Sequence, residues 1–183
     1  MNKNKIIFSI IDNVKTIVYA LLIAIVIRSI FFQPFYIPSS SMEPTLLIGD
    51  RIFASKYTYG FSKHSFPFSP NFTNKRFLYE KPLQGDLVIF KTPADNRTDY
   101  IKRVVGLPGD EVQFIEGDIF INNKKIIRKK IDTYKSVRCG KLSLDVNAYE
   151  ETLPNGLKYI AVYNKEGTLQ NTAKFIVPEK HFF

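Results

Sequence analysis

The chain has 183 residues, of which 45% are hydrophobic and 23% charged, a composition that indicates a folded protein and excludes a disordered chain. Its net charge of +9 is compatible with an anionic membrane surface or nucleic acid as a partner. One cysteine, Cys139, and two histidines exclude an intrachain disulfide and provide too few ligands for a His/Cys metal site. We therefore expect neither a metal nor a cofactor.

The first element in chain order is an apolar run near the N-terminus. Residues 16–27, "TIVYALLIAIVI", carry no charge, but a helix of this length covers only about 18 Å of a hydrocarbon core of about 30 Å. If the Arg28 side chain reaches the interface, the helix can continue to Phe32. Lysines precede the run and no small-residue cleavage site follows it. This favours an uncleaved anchor over a buried helix of a soluble protein or a cleavable signal peptide.

We therefore expect residues 1–33 to form a cytoplasmic tail and a single transmembrane anchor, with residues 34–183 outside as one mainly β domain. Short runs rich in Val, Ile, Phe and Tyr, separated by turn residues, predict strands in this domain. The predicted strands are 52–53, 86–91, 100–105, 111–115, 118–122 and 158–163.

Two further segments concern possible partners. Residues 57–79 contain eight aromatic residues, which either lie on lipid headgroups or form an aromatic hairpin packed on its own domain. The run "KKIIRKK" at 124–130 is interpreted as a solvated strand face. It has no aromatic residues on which bases could stack, so we expect no nucleic-acid partner.

Three consecutive serines, Ser39–Ser41, lie between two prolines shortly after the apolar run. A serine hydroxyl is a weak nucleophile until a base takes its proton. His64 and His181 are interpreted as ordinary surface or packing residues. The remaining candidate base is Lys102, in a strand pattern that predicts at least half burial.

Strand alternation places Lys102 on one face with Tyr100 and Val104, and Arg103 on the other face with Ile101 and Val105. A lysine of ordinary pKa, about 10.4, is neutral in only about one molecule in a thousand near pH 7.4, so burial must lower that pKa for base activity. From these residues alone, a structural or solvated lysine and a Ser-Lys dyad both stay open.

The motifs "PSSSMEPTLLIGD", "GDLVIFK" and "DYIKRVVGLPGD" together resemble bacterial type I signal peptidase. This family consists of membrane-anchored serine proteases that remove signal peptides from exported proteins. The match runs from Arg28 to about Glu111. The resemblance implies that Ser41 is the nucleophile and Lys102 the general base. It also implies that Ser39 donates its hydroxyl to the oxyanion hole beside the backbone N–H of Ser41.

The resemblance further implies cleavage after small residues in an Ala-x-Ala pattern, in preprotein signal peptides that bind in extended form. Similar residues line the family's two substrate pockets: Ile37, Pro38, Met42, Leu46, Tyr100 and Ile101 for the pocket next to the cut, and Phe35, Ile52, Val88 and Asp99 for the more distant one. We expect a monomer in the bacterial inner membrane, in contact with the lipid bilayer, with its catalytic domain on the periplasmic or extracytoplasmic side.

The family's next motif, built on Gly-Asp-Asn-Arg, normally begins shortly after a segment like "IVPEKHFF", and the chain ends there at Phe183. We therefore expect a truncated copy, in which residues 124–171 correspond to a variable outer subdomain without assigned site residues. The alternative function is a catalytically impaired copy that only binds membrane or signal peptides. A self-cleaving Ser-Lys regulator of the repressor type is a third hypothesis, but no DNA-binding helical domain precedes the β region.

Overall fold

The computed structural model describes residues 3–66, 75–138, 142–163 and 171–183. Within these ranges the chain forms one long helix, followed by short strands and two single 3₁₀ turns, Ser40–Met42 and Lys63–Ser65. The elements are α1 (Lys3–Ile30), β1 (Phe32–Tyr36), β2 (Arg51–Ser55), β3 (Leu87–Lys91), β4 (Asp99–Arg103), β5 (Glu111–Ile115), β6 (Asp118–Ile121), β7 (Lys124–Lys125), β8 (Ile127–Arg138), β9 (Leu142–Thr152), β10 (Lys158–Tyr163) and β11 (Phe175–Ile176). The predicted mainly β class with an N-terminal helix of membrane-spanning length is confirmed.

Helix α1 is the one helix of the described residues that is long and apolar enough to cross a membrane. Its apolar part, Ile7–Ile30, has 24 residues and a mean hydropathy of 2.1, which corresponds to about 36 Å of helix. The helix gains this length at its N-terminal side, where the Thr16 hydroxyl donates to the Asp12 carbonyl at 2.9 Å.

The prediction that the helix continues to Phe32 is wrong, because the α-helix ends at Ile30 and Phe32 begins β1. The last turn closes with the Phe31 N–H on the Ile27 carbonyl at 2.9 Å. Pro34 disfavours helical backbone at the residue before it and has no N–H to donate, so the chain changes to extended structure here.

Two compact units make up the described chain. The first contains Met1–Phe35 and Ile52–Lys81, and the second contains Tyr36–Arg51 and Pro82–Phe183. In the first unit, Phe61 and Phe77 pair backbone to backbone through two hydrogen bonds of 2.9 Å, which closes the aromatic segment into a loop. Residues 67–74 of this segment lie outside the described residues, and its two alternative roles, contact with lipid and a hairpin packed on its own domain, stay predictions.

The second unit contains three sheets in its described part. Strands β3 and β4 form an antiparallel pair, the order β11-β5-β6-β7 forms a second sheet, and the order β10-β9-β8 forms a third. A buried cluster of Ile121, Ile126 and Leu153, with Val105 and Tyr159 packed against it, joins the second and third sheets. Because Val105 follows β4 and Tyr159 belongs to β10, this core holds the end of β4 and β10 in a fixed relative position.

The strand face expected at 124–130 includes β7 and the start of β8, but the rest of the hairpin of β8 and β9, the longest pair of strands in the described chain, was not predicted from the sequence. Its residues mix basic, acidic and polar side chains. A bulge between Lys130 and Asp132 also shifts the register, so the hydrophobic alternation typical of a strand is broken. Residues 139–141, which include Cys139, and 164–170 lie outside the described residues.

Candidate active site

The three serines lie at a short 3₁₀ turn of the second unit, here called the serine turn (Ser40–Met42). Ser39 precedes it in extended conformation, and the Met42 side chain, 8% exposed, anchors the turn in the protein. The Leu46 N–H donates to the Met42 carbonyl at 3.0 Å. With Met42 buried, the preceding Ser41 remains exposed.

The structure brings Lys102 to Ser41. The Lys102 Nζ donates to the Ser41 Oγ at 2.7 Å, although 61 residues separate them in the chain. Lys102 lies on β4 opposite Val88 of β3, and its Nζ lies 5.7 Å from the centroid of the Tyr100 ring. Partial desolvation lowers the pKa of Lys102, which is the direction that a general base requires.

The predicted burial of Lys102 is wrong. The residue is exposed, whereas Ile101 and Arg103 on the opposite face of β4 are half-buried. Alternation identified the two faces correctly but gave no information on which one is inside. The face of Lys102 opens onto a groove, so the desolvation that lowers the pKa of Lys102 is only partial.

Ser39 also lies close to the nucleophile candidate. Its Oγ is 3.4 Å from the Ser41 Oγ. The Ser41 hydroxyl therefore lies within 3.4 Å of both the Ser39 hydroxyl and the Lys102 amine. Of the two histidines, His181 has its Nδ1 2.9 Å from the Glu179 carbonyl, and His64 belongs to the first unit. Neither is among the residues that line the groove.

The groove has a volume of about 560 Å³ and lies within the second unit. One wall is the segment around the serine turn together with the end of β4, and the other wall is β10 with Val146 of β9. The lining residues are Ser39, Ser40, Ser41, Met42, Glu43, Thr45, Lys102, Arg103, Val146, Tyr159, Ile160, Ala161, Val162 and Tyr163.

Most of the predicted pocket residues do not line this groove; Met42 does. Ile37 is buried, with 3% of its surface exposed, and Asp99 forms an ion pair of 2.8 Å with Lys91. The groove lining also does not include Pro38, Leu46, Val88, Tyr100 and Ile101, while Phe35 and Ile52 belong to the first unit. Their role as substrate pockets stays a prediction.

Sequence reasoning missed the contribution of the β10 wall, since no site residue was assigned between 124 and 171. The signal was present in "KYIAVY", where Tyr159 and Tyr163 share a strand face with the small Ala161 between them. Nothing local in that pattern distinguishes a groove wall from an ordinary packed strand.

Arg103, the residue next to the candidate base, links the two sides of the site. Its guanidinium donates to the Gly85 carbonyl at 2.9 Å and to the Thr45 hydroxyl at 3.3 Å, and it lies 4.5 Å from the centroid of the Tyr159 ring. Burial lowers the pKa of Arg103. Arg103 therefore ties β4 both to the segment after the serine turn and to β10.

Comparison with known proteins identifies the family of this chain. The family model described as "Signal peptidase, peptidase S26" matches residues 10–183. Signal peptidase I of Rickettsia massiliae is 41% identical over 179 residues, covering 91% of this chain and 65% of the relative.

Signal peptidase I of Rickettsia typhi is 39% identical over 175 residues, covering 90% of this chain and 64% of the relative. Signal peptidase I of Rickettsia canadensis is 41% identical over 180 residues, covering 92% of this chain and 66% of the relative. The chain thus spans just under two thirds of the length of these relatives. It belongs to the signal peptidase family, peptidase S26.

Proposed function

We propose that this protein is a membrane-anchored serine endopeptidase that removes N-terminal signal peptides from exported preproteins. The observation that carries the proposal is the hydrogen bond of 2.7 Å between the Lys102 Nζ and the Ser41 Oγ at an open groove. A serine with an amine at this distance has the nucleophile and base that acyl transfer requires.

In the proposed reaction, neutral Lys102 takes the proton of Ser41 while the Ser41 Oγ attacks the scissile carbonyl. The oxygen of the tetrahedral intermediate accepts hydrogen bonds from the Ser39 hydroxyl and the Ser41 backbone N–H, as in other oxyanion holes. Lys102 then gives the proton to the leaving amine, which breaks the peptide bond and leaves an ester on Ser41. A water molecule, deprotonated by Lys102, hydrolyses this ester and restores both residues.

Substrate binding itself should improve the base. Lys102 is exposed in the free chain, and an extended peptide lying in the groove would displace water from its ammonium group. Desolvation disfavours the charged form of lysine, so the pKa of Lys102 should fall further in the complex. The base would then be most effective only when a substrate is present.

The substrate class follows from the family and from the anchor. We propose cleavage after small residues in an Ala-x-Ala pattern, because shallow apolar pockets reject large side chains by steric clash. We further propose that α1 spans the bacterial inner membrane once, with the second unit on the extracytoplasmic side. A preprotein still anchored by its signal peptide would share that membrane, which raises the effective concentration of the cleavage site.

One observation favours the alternative of a catalytically impaired protein that binds signal peptides. Among the described residues, no carboxylate pairs with Lys102, and its ammonium contacts Ser41 and the Tyr100 ring. A base held at few points spends less time in productive geometry, and small misplacements can cost about a hundredfold in rate.

The test is cleavage of a purified preprotein bearing an Ala-x-Ala site by the full chain in detergent. We expect cleavage by the parent chain and by Lys174→Met, whose lysine lies on the surface and bonds Glu111. We expect none with Ser41→Ala or Lys102→Met. If the parent chain binds the preprotein but does not cleave it, the alternative function is correct and the protease proposal is wrong.

A further inference from the structure

Strand β10 forms one wall of the groove. All five consecutive residues Tyr159–Tyr163 line the groove. Neighbouring residues on a strand point to opposite faces of its sheet. A surface that five residues reach in succession therefore includes residues of both faces of β10 and the backbone edge between them.

This edge is open in the described part of the chain. The sheet order is β10-β9-β8, so β10 pairs with β9 on one side, with Tyr159 opposite Glu151 and Tyr163 opposite Asn147. Within the described ranges, no strand pairs with the other side of β10. An open strand edge presents backbone donors and acceptors that an added extended chain can satisfy.

A buried carboxylate fixes the position of this edge. Glu151 of β9 is 1% exposed. Its Oε2 accepts from the Tyr159 hydroxyl at 2.6 Å, and its Oε1 accepts from the Tyr163 hydroxyl at 2.5 Å. The Arg128 Nε also donates to Oε1, at 3.1 Å, so the buried charge is paired.

The tyrosines are enclosed along with this carboxylate. Burial, followed by the nearby charge of Glu151, raises the pKa of both Tyr159 and Tyr163, so both hydroxyls stay protonated and donate. The guanidinium of Arg128 lies 4.3 Å from the centroid of the Tyr163 ring. Both ends of the open edge, at Tyr159 and Tyr163, are therefore held by one side chain of the neighbouring strand.

The position of the edge relative to the dyad indicates which part of a substrate it meets. Ser41 and Lys102 line the groove together with Thr45, Arg103 and β10, and Arg103 contacts both the Thr45 hydroxyl and the Tyr159 ring. By contrast, the pocket residues expected before the cut, with the exception of Met42, do not line it. A peptide with its scissile carbonyl at Ser41 and its preceding residues in those pockets would extend its following residues along β10.

We propose that the open edge of β10, residues 159–163, binds the backbone of the substrate residues that follow the cut as an added strand, and that Glu151 is the positioning residue that holds this edge in place. This inference rests on the proposed function for the direction of the peptide. Five strand residues extend over about 17 Å, so about five substrate residues after the cut can pair with β10.

The test measures how affinity depends on the length of the peptide after the cut. Synthetic fluorescent peptides share one sequence up to an Ala-x-Ala site and carry one to eight residues after it. They are titrated into the full chain with Ser41→Ala in detergent, which prevents turnover. In an added strand, every second residue forms backbone hydrogen bonds with the neighbouring strand. One net hydrogen bond corresponds to about a fivefold change in Kd. We expect the Kd to fall roughly 10- to 100-fold up to about five residues and then to stay constant.

Variants of neighbouring residues test the role of Glu151 on the same background. Glu151→Gln should remove most of this length dependence while leaving the Kd of the shortest peptide unchanged. The control is Glu150→Gln, because Glu150 is the adjacent residue of β9 and forms an exposed ion pair with Lys158; it should keep the full dependence. Tyr163→Phe removes one of the two hydroxyls that donate to the Glu151 carboxylate and should remove part of the length dependence of the Kd. This variant replaces Glu151→Gln in the test if Glu151→Gln does not fold.

The outcomes separate the proposals. In the chain with Ser41 intact, Glu151→Gln should raise KM for long peptides and leave kcat nearly unchanged, whereas a purely structural role would change only thermal stability. A Kd independent of length after the cut overturns the β10 site, and a length dependence that survives Glu151→Gln overturns the positioning role. Length-dependent binding without any cleavage by the Ser41 chain supports the β10 site and refutes the proposed protease function. Failure of every peptide to bind refutes both.

Discussion

Cleavage by this protein should depend on pH through the protonation of Lys102. In the structure the Lys102 Nζ donates to the Ser41 Oγ at 2.7 Å, and the amine must lose a proton before it can accept one from Ser41. Desolvation lowers the pKa of Lys102. The proton is therefore lost at a lower pH than from a lysine in water, whose pKa is about 10.4.

The size of the effect follows from this equilibrium. Below the pKa of Lys102, the neutral fraction and hence kcat/KM should rise about tenfold per pH unit, and above it they should level off. A pKa that is lower by one pH unit increases the neutral fraction at pH 7 about tenfold. Since kcat/KM reports the free enzyme and kcat the complex, the pKa from kcat should be the lower of the two.

The assay is initial-rate cleavage of a peptide with an Ala-x-Ala site between pH 5 and 11, with His181→Ala as a control that keeps the same profile. Lys102→Met should remove activity across this range. An inflection near 10.4 or above would refute desolvation of Lys102. An inflection near 6.5 that disappears in the His181 variant would show that a histidine is the base.

Three further substitutions test separate parts of the site. Ser39→Ala should lower kcat about a hundredfold or more with little change in KM, in steady-state kinetics, because one donor to the oxyanion is lost. Arg103→Lys keeps the charge but not the two donors that reach the Gly85 carbonyl and the Thr45 hydroxyl, and should lower the free energy of unfolding by about 1 to 3 kcal/mol in denaturant titrations. Gly106→Ala would bring a Cβ to 2.9 Å from the Val112 Cγ2 and should lower the Tm, with a cost of about 1 to 3 kcal/mol. Unchanged kcat for the first variant, or unchanged stability for the other two, would contradict these assignments.

Much of the fold was predictable because local signals determine it. The strands predicted at 86–91, 111–115 and 158–163 correspond to β3, β5 and β10, since each combines hydrophobic residues with nearby turn residues. The length of α1 was underestimated because Asp12 and Lys15 interrupt the apolar run. A helix accommodates such charges when they pair with each other, as these two do at 3.8 Å.

The site was predictable only in part. Ser41 and Lys102 could be paired from chemistry and family resemblance, and the structure places them together. The groove wall at Tyr159–Tyr163 depends on pairing between β9 and β10 and on the buried Glu151, which are contacts between segments that no local pattern specifies. The exposure of Lys102 was also beyond prediction, because alternation does not indicate which face of a strand meets the core.

The most direct test of the Ser41/Lys102 dyad is to trap the acyl-enzyme. The full chain is mixed with an ester analogue of an Ala-x-Ala peptide, quenched in acid after milliseconds to seconds, and digested for mass spectrometry. If Ser41 and Lys102 form the catalytic dyad, an adduct with the mass of the acyl half appears on the peptide that contains Ser41 and is absent in Lys102→Met and in Ser41→Ala. An adduct on another residue, or cleavage that persists in Ser41→Ala, would show that Ser41 and Lys102 do not form the catalytic dyad.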